Sequence, residues 1–464
     1  MPVLYYYEEK HCSLITSVTQ KIMQTRSRRK FLRDGSIAVG AIVSRFGRTA
    51  KAAASERVRV GIMGAGNRAQ SLIATFSSNT SVEVVAIADI DAKRLAAGLE
   101  SVAKIQGKKP RGEGDFRKLI DDKSIDALVI ATPEHWHAIP AILACQAGKD
   151  VYVEKPDAHN IVEGMRMVAA MRKHQRVVQL GSQHRATHRL QSALEFVMEG
   201  QLGRVLVAKA WESSKQSPIG FPPDGMPPSG VDYDMWLGPA PKRPFNVNRF
   251  HKHWRWFYDY GTGDLGNDGV HRLDMAVAIL NAACKAQGDE PIGLPTTIFA
   301  NGSKWYYDDA QDFPDTMQVN YEFAAGKKTK LLTYEMRLWA PYSYLGEEEG
   351  SVVFGDKGYI VIGNKGWKAY AKGGQVLGQG EGDSHEAPHV QNFIECIKSR
   401  AKPYCDLETV GHPASLLCHT GNIAARVGRK LTFDPVTETF VGDAEANALR
   451  VRSEYRKPWV LPEV

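Results

Sequence analysis

The sequence predicts an α/β fold, in which an N-terminal doubly wound parallel sheet is followed by a domain built on a largely antiparallel open sheet. Between Val58 and Leu180, five short β-branched runs alternate with longer helical patterns, and this alternation is typical of a doubly wound sheet. Beyond about Gln183 the alternation stops, and later strand-like runs follow one another without crossover helices, which favours antiparallel pairing. We therefore expect one domain over 57–182 and a second over 183–464.

Each predicted element corresponds to a particular run of residues. The runs predicted as parallel strands are Val58–Met63, Val82–Ala88, Asp126–Ala131, Val151–Glu154 and Val177–Leu180. The crossover helices are predicted around Ser71, Ala92, Ala138 and Val162. The second domain is predicted to contain a helix around Asp274–Leu280 and strands at Thr296–Phe299, Thr316–Phe323, Thr329–Glu335 and Tyr359–Ile362. An open sheet leaves one apolar face uncovered, which is unfavourable in water, so we expect a homo-oligomer.

The composition is that of a globular protein that is long enough for two or more domains. The chain has 464 residues, of which 43% are hydrophobic and 24% charged. Residues 1–54 carry ten Lys or Arg and three Asp or Glu, which accounts for the whole net charge of +7. The rest of the chain is neutral and has no basic block, which argues against nucleic acid as a partner. The five cysteines beyond Cys12 form no CxxC pair, so neither a disulfide framework nor a cysteine metal site is predicted.

The first 54 residues have the order of a twin-arginine export signal. The twin arginines lie in Ser27–Arg33, a mildly apolar stretch covers Gly35–Val43, and small residues follow at Ala52–Ala54. The apolar stretch is much shorter than the roughly 20 residues that a permanent membrane span requires. We therefore expect export by the twin-arginine (Tat) machinery, cleavage near Ala54 and a periplasmic protein. Met23, just upstream of the arginines, is a possible alternative start.

A glycine-rich turn joins the first predicted strand to the first helix in a GxGxxA pattern, and this context is typical of dinucleotide binding. Gly64 permits the tight turn, Gly66 lets backbone N–H groups approach a pyrophosphate, and Ala69 allows close helix–strand packing. Asp89, at the end of the second strand, is placed to bind the adenosine ribose and to repel a 2′-phosphate. NAD is therefore favoured over NADP, although Arg94 weakens this inference. The cofactor contacts expected here are Gly64, Gly66, Asn67, Arg68 and Asp89.

The third and fourth strands of the first sheet also end in polar motifs, at Ala131–His137 and Glu154–Pro156. Ligands of such sheets bind beyond the carboxyl ends of the strands, where Lys155 could polarise a substrate oxygen. No cysteine or carboxylate cluster accompanies His135 and His137, so we predict no metal. The residues expected to face the cofactor are Thr132, Pro133, Trp136, His137, Glu154 and Lys155.

Taken together, four motifs resemble those of the Gfo/Idh/MocA oxidoreductases, a family named for glucose-fructose oxidoreductase and inositol dehydrogenase. The motifs are Gly64–Gly66, Ala131–Pro133, Glu154–Pro156 and Gly261–Asp274. The resemblance covers essentially all of the chain after the export signal. It implies a Rossmann domain at 57–182 and a substrate and oligomerisation domain at 183–464. The C-terminal segments Gly421–Leu431 and Tyr455–Trp459 are similar to those of the exported bacterial branch.

The resemblance also implies roles for individual residues. Lys155 would be the catalytic lysine, and His271 would exchange a proton with the reacting hydroxyl. The family pattern usually has Asp four residues before this histidine, whereas this sequence has Asn267 followed by Asp268. Since Asn cannot act as a carboxylate base, three alternatives stay open: His271 acts with Lys155 alone, Asp268 takes over, or the chemistry differs.

The residues near these motifs provide the substrate candidates. Flat aromatic faces suit the apolar faces of sugar rings, and polar side chains suit their hydroxyl groups. The predicted substrate residues are Gln183, Arg185, Trp256, Tyr258 and Asp274. We expect an oxidoreductase that transfers hydride between a tightly bound NAD(P) and a sugar, glycoside or polyol. The alternatives are an NAD-dependent glycosidase or lyase that oxidises the sugar transiently, and a noncatalytic sugar-binding protein.

Overall fold

The N-terminal half contains a six-stranded parallel sheet in a computed structural model, which describes residues 57–213, 216–326, 328–383 and 386–464. The predicted export signal at 1–54 lies outside the described residues. The strands are β1 (Val58–Met63), β2 (Val82–Ala88), β3 (Arg111–Glu113), β4 (Ala127–Ile130), β5 (Asp150–Val153) and β6 (Val178–Leu180). The helices between them are α1 (Asn67–Ser78), α2 (Ala92–Gln106), α3 (Arg117–Asp121), α4 (Ala138–Gln146) and α5 (Ile161–His174).

The strand order β3-β2-β1-β4-β5-β6 reverses direction between β1 and β4. At such a switch point the loops after neighbouring strands diverge and leave a crevice at the carboxyl end of the sheet. Strands β4 and β5 are buried along their whole length, as expected for a parallel sheet with helices on both faces. The predicted doubly wound sheet is therefore confirmed, and β3 is a short strand that the sequence pattern did not indicate.

The second domain is built on a ten-stranded sheet in the order β14-β13-β12-β11-β7-β10-β9-β8-β15-β16. All of its neighbouring strands are antiparallel except β7 and β10. Its strands are β7 (Val205–Glu212), β8 (Thr297–Ser303), β9 (Thr316–Ala325), β10 (Lys328–Arg337), β11 (Glu349–Gly355), β12 (Gly358–Gly363), β13 (Gly366–Ala371), β14 (Val376–Glu381), β15 (Leu431–Asp434) and β16 (Thr439–Phe440). The largely antiparallel sheet is confirmed.

The described part of the second domain contains six α-helices. They are α6 (His188–Met198), α7 (Tyr233–Leu237), α8 (Val270–Gln287), α9 (Glu386–Ser399), α10 (His412–Val427) and α11 (Ala444–Ala448). Helix α8 packs against β7 and β11, and α10 packs against β8 and β9. Leu206, Phe299 and Leu331 are exposed apolar residues on strands of the sheet. None of the helices in the described part of the chain has the length and apolar character that a membrane crossing needs.

The chain returns to the N-terminal domain after β14. The ring of Phe393, in α9, lies 6.4 Å from that of Phe76 and 5.8 Å from that of Tyr152. Cys405, Leu407 and Trp459 belong to the hydrophobic core on the other side of the parallel sheet. The core of the N-terminal domain is thus completed by residues that come more than 200 positions later in the sequence.

A buried ion pair joins helix α10 to the loop after β5. His412 Nδ1 lies 2.7 Å from Asp157 Oδ2, and His412 Nε2 lies 2.9 Å from Glu438 Oε2. Burial alone lowers the pKa of His412, but the two carboxylates outweigh it and raise the pKa to about 10. The imidazolium is therefore charged at neutral pH and neutralises Asp157, which is completely buried.

Replacement of His412 by Asn is expected to lower the free energy of unfolding at pH 7 by about 3–5 kcal/mol, because it leaves the Asp157 carboxylate buried without its cation. Since the folded pKa of His412 exceeds its unfolded value, this stabilisation is complete below about pH 6.5 and is lost as the pH rises through about 10. Urea unfolding should therefore show a large difference in stability between the unaltered protein and the His412 variant at pH 7, and a smaller difference at pH 10. The matched control is replacement of the exposed His188 by Asn, and an equal loss in both variants would contradict the assignment.

Candidate active site

The glycine-rich turn after β1 has the geometry that a dinucleotide phosphate requires. Gly64 has a φ of +97°, and a Cβ at this position would lie 2.6 Å from the carbonyl oxygen of Ala131. Gly66 caps the N-terminus of α1 without any side-chain hydrogen bond to the first turn. The N–H groups that begin α1 are therefore available to an anion, and the helix dipole favours negative charge at this end.

Asp89 is fixed at the adjacent edge of the crevice. Its Oδ2 accepts a hydrogen bond of 2.6 Å from the N–H of Ala65, and its Oδ1 accepts one of 2.8 Å from the N–H of Asp91. Burial raises the pKa of Asp89, and these two N–H donors oppose the rise. Its carboxylate lines the crevice together with Arg94, where the sequence places the adenosine ribose.

The crevice is covered by residues 217–257, which we call the cover loop. Two residues of this loop, Gly230 and His251, contact the segment after β2. Ala92 donates its N–H to Gly230 O at 2.9 Å, and His251 Nε2 lies 3.0 Å from Asp91 Oδ2. The cover-loop residues that line the crevice are Met235, Trp236, His251, Lys252, Trp254 and Arg255. A cofactor in the crevice would therefore be enclosed by both domains.

Trp136 forms part of the crevice wall and is held from behind. Its indole N–H donates to Met235 O and Trp236 O, both at 3.0 Å. Its ring lies 4.8 Å from that of Trp459, in the C-terminal tail, and 5.3 Å from that of Phe116. Trp136 and Phe116 line the crevice, whereas Trp459 supports them without lining it.

His135 and His137, on either side of Trp136, each contact backbone oxygen atoms of other segments. The ring nitrogens of His137 lie 2.8 Å from Pro156 O and 3.0 Å from Thr132 O, so this residue ties the ends of β4 and β5 together. His135 Nε2 lies 2.8 Å from Trp236 O. Burial lowers the pKa of both imidazoles. The described residues contain no group of three or more His, Cys, Asp or Glu side chains that could hold a metal.

Lys155 and Asn267 meet at the boundary between the domains. Lys155 Nζ donates to the backbone oxygen of Asn267 and, at 2.8 Å, to its Oδ1. The amide nitrogen of Asn267 donates in turn to Asp268 Oδ2 at 3.1 Å and to Asp264 Oδ1 at 3.4 Å. The two carboxylates thus orient the amide so that its oxygen faces the ammonium group.

His271 lies on the first turn of α8 and is almost fully buried. Its Nδ1 is 3.4 Å from Ser182 Oγ, and its ring is 4.9 Å from that of His184. Burial, with smaller contributions from His184, Lys155 and other cations, holds the pKa of His271 well below its usual value. The imidazole is therefore neutral at physiological pH, so one of its two ring nitrogens carries a free lone pair.

The five predicted substrate residues do not form one site in the structure. Asp274 forms a bidentate ion pair with Arg185, with N–O distances of 2.8 and 2.5 Å, so the two side chains neutralise each other. Gln183 is half-buried in the turn beside Ser182. Trp256 is buried in the hydrophobic core, and Tyr258 lines a cavity separate from the crevice.

The predicted cofactor residues Arg68 and Glu154 contact each other. Arg68 Nε lies 2.8 Å from Glu154 Oε1, and its Nη1 lies 2.8 Å from Glu386 Oε2 at the start of α9. The two carboxylates outweigh burial and raise the pKa of Arg68. The predicted residues that line the crevice itself are Gly64, Gly66, Asn67, Arg68, Asp89, Thr132, Pro133 and Trp136.

Two sequence profiles match the chain. The profile of the oxidoreductase family with the NAD-binding Rossmann fold matches residues 58–182, and the profile of its C-terminal α/β domain matches residues 210–326 and 378–461. The chain belongs to the Gfo/Idh/MocA oxidoreductase family. Its N-terminal domain is therefore an NAD-binding domain, as the turn geometry indicates.

The Gfo/Idh/MocA chain also resembles individual relatives. It is 32% identical over 158 residues to a glycosyl hydrolase family 109 protein from Saccharopolyspora erythraea, which is 33% of this chain and 34% of that protein. It is 34% identical over 112 residues to levoglucosan dehydrogenase from Pseudarthrobacter phenanthrenivorans, which is 23% of this chain and 29% of that enzyme. Each alignment thus spans about a third of the relative's length.

Solved structures share the fold of this oxidoreductase over most of its length. The structure of levoglucosan dehydrogenase with NADH and levoglucosan has a TM-score of 0.60 at 20% identity, covering 81% of this chain and 99% of that chain. The WlbA dehydrogenase from Bordetella pertussis, in complex with NADH and UDP-GlcNAcA, has a TM-score of 0.60 at 18% identity, covering 82% and 99%.

Two carboxyl groups of the oxidoreductase that the sequence analysis did not single out lie close to Lys155. Glu134 is buried, and burial raises its pKa to about 8 against the opposing effects of Thr262 and Lys155. Burial, followed by the charge of Asp268, raises the pKa of Asp264 to about 7. Both groups can therefore hold or release a proton near neutral pH. Glu134 lies within the motif that ends β4 and Asp264 within the motif that begins α8, so their positions could have suggested this role.

Replacement of Trp459 by Ala is expected to weaken NADH binding about tenfold, or about 1.4 kcal/mol, because the crevice wall formed by Trp136 and Phe116 loses its support. Fluorescence titration of cofactor-free protein with NADH measures this change. Replacement of the exposed Trp305 by Ala is the matched control and should leave the affinity unchanged. An unaltered affinity in the Trp459 variant would show that the wall holds its position without the C-terminal tail.

Proposed function

We propose that this oxidoreductase is an NAD-dependent dehydrogenase that acts on a hydroxyl group of a sugar, glycoside or polyol. The observation that carries the proposal is the contact of Lys155, which follows β5, with Asn267, four residues before the neutral, buried His271 on the first turn of α8. The likeness to levoglucosan dehydrogenase supports a carbohydrate substrate.

His271 and Lys155 have different roles in the proposed oxidation. When bound, the nicotinamide would supply the hydride acceptor. A neutral imidazole at His271 accepts the hydroxyl proton as the carbonyl forms, and the Lys155 ammonium donates a hydrogen bond to the same oxygen. Asn267 holds Nζ in place through Oδ1 at 2.8 Å. Because Asp268 accepts a hydrogen bond from the Asn267 amide, it acts on Asn267 in this scheme and is not the base.

Replacement of Lys155 by Met, or of His271 by Asn, is expected to lower kcat/KM about 10²–10⁴-fold, the usual contribution of a positioned acid or base. The affinity for NADH should change only a few-fold, since neither side chain is among those that line the crevice. Replacement of the exposed Lys368 by Met is the matched control. Turnover is measured with a panel of sugars, glycosides and polyols on which the unaltered enzyme is active.

The same panel separates the dehydrogenase from its main alternative, a glycosidase that oxidises and re-reduces its sugar. Similarity to a glycosyl hydrolase family 109 protein is the observation that favours this alternative. Glycosides with a chromophoric leaving group report both outcomes in one assay. NADH formation without release of the leaving group supports the dehydrogenase, whereas release without net NADH would replace it with the glycosidase.

We further propose that the enzyme is exported by the twin-arginine pathway with NAD already bound. The order of charged, apolar and small residues in 1–54 supports export, and the cover loop supports a slowly exchanging cofactor. Replacement of Arg28 and Arg29 by Lys should retain the protein in the cytoplasm, while Arg26→Lys should not. Cell fractionation followed by denaturation of the periplasmic protein should release nicotinamide cofactor, and its absence there would contradict the proposal.

A further inference from the structure

A second cavity, of about 350 Å³, lies on the loop that precedes helix α8. Its lining shares no residue with the lining of the NAD crevice. The residues that give this cavity its chemical character are His159, Tyr258, Phe313, His419, Arg426 and Arg452. They come from five separate parts of the chain, including α10 and the C-terminal tail.

Two almost fully buried side chains of the lining have nitrogen atoms without a hydrogen-bond partner among the described residues. Arg452 Nε lies 3.3 Å from Glu163 Oε1 and its Nη1 donates to Asp259 O at 2.9 Å, but its Nη2 has no partner. His419 Nε2 also lacks one, and it is 3.9 Å from Asp157 Oδ1. Since buried polar groups are normally hydrogen-bonded, both atoms are suited to an acceptor from outside the chain.

The charged groups around these atoms leave one cation uncompensated. The guanidinium of the exposed Arg426 lies 4.2 Å above the ring of Tyr258, and it forms no ion pair with a carboxylate in the described ranges. The acids of the lining are Asp259, whose Oδ2 is 2.5 Å from Arg243 Nε, and the exposed Glu454. The unused hydrogen-bonding capacity therefore consists mainly of N–H donors and positive charge.

We propose that this cavity binds a small hydroxylated oxyanion, which is held through its carboxylate or phosphate group by Arg426, Arg452 and His419. Charge-assisted hydrogen bonds from guanidinium groups are the strongest that such an anion can receive. His159 Nε2 lies 2.8 Å from Tyr258 O, so this nitrogen is the donor and Nδ1, which has no partner in the described structure, is an acceptor for a ligand hydroxyl. The rings of Tyr258 and Phe313, 4.4 Å apart, provide an apolar surface for the carbon skeleton.

The position of the cavity gives its occupant contact with the catalytic segment. Residues of the lining fix the backbone of the loop, because Asn422 Nδ2 donates to Thr262 O at 2.7 Å and His159 contacts Tyr258 O. The same loop continues into the turn that carries Asn267 and into α8, which carries His271. The binding proposal is nevertheless independent of the reaction, since it depends only on residues outside the NAD crevice.

The test is isothermal titration calorimetry of the full-length protein with inorganic phosphate and with gluconate, at constant ionic strength. The protein is first saturated with NAD, so that the anion site at the start of α1 is already occupied. We expect saturable binding of at least one of the two anions and at least a tenfold loss of affinity in Arg426→Gln. Arg426 is exposed, so this replacement should leave the fold intact, as circular dichroism can verify.

The matched control is Arg429→Gln, which removes a nearby arginine that is paired with Asp443 and does not line the cavity. This variant should bind like the unaltered protein. Binding of phosphate alone assigns the site to a phosphorylated ligand, and binding of gluconate alone assigns it to a carboxylate. The proposal is overturned if neither anion binds saturably, if Arg426→Gln binds as well as Arg429→Gln, or if neutral sorbitol binds as tightly as gluconate.

Discussion

The contact between the Lys155 ammonium and Asn267 is the interaction on which the arrangement of the site depends. It joins the end of strand β5, in the NAD-binding domain, to the turn that begins α8 in the second domain. The amide of Asn267 is held by hydrogen bonds to Asp264 and Asp268. These three side chains together set the position of the lysine. His271, on the next turn of α8, then has a fixed place relative to Lys155.

The neutral amide also determines the charge balance around the lysine. A carboxylate at position 267 would add a third carboxyl group beside Asp264 and Asp268, and like charges at this distance raise each other's pKa. With Asn267 in place, burial already raises the pKa of Asp264 to about 7 and that of Glu134 to about 8. Position 267 thus carries a neutral amide, which links Asp264 and Asp268 to Lys155 through its hydrogen bonds.

The sequence was sufficient to predict the parallel sheet, the glycine turn and the position of Lys155 at the ligand edge of the sheet. Each of these depends on local patterns or on the rule that parallel strands share one ligand edge. It was not sufficient for the mutual neutralisation of Arg185 and Asp274 or for the burial of Trp256. Which face of a loop an aromatic or charged residue presents is decided by contacts between residues far apart in the chain, and no local pattern records such contacts.

The sequence was also not sufficient to predict which segments form the walls of the NAD crevice. The glycine turn specifies phosphate binding, but the wall opposite it consists of the cover loop and of Trp136, which Trp459 supports from behind. A cofactor in the crevice is therefore contacted by segments that lie outside the Rossmann domain. Because these segments line or support the crevice that the phosphate-binding turn opens into, the affinity for NAD depends on the second domain and the C-terminal tail as well as on the Rossmann domain.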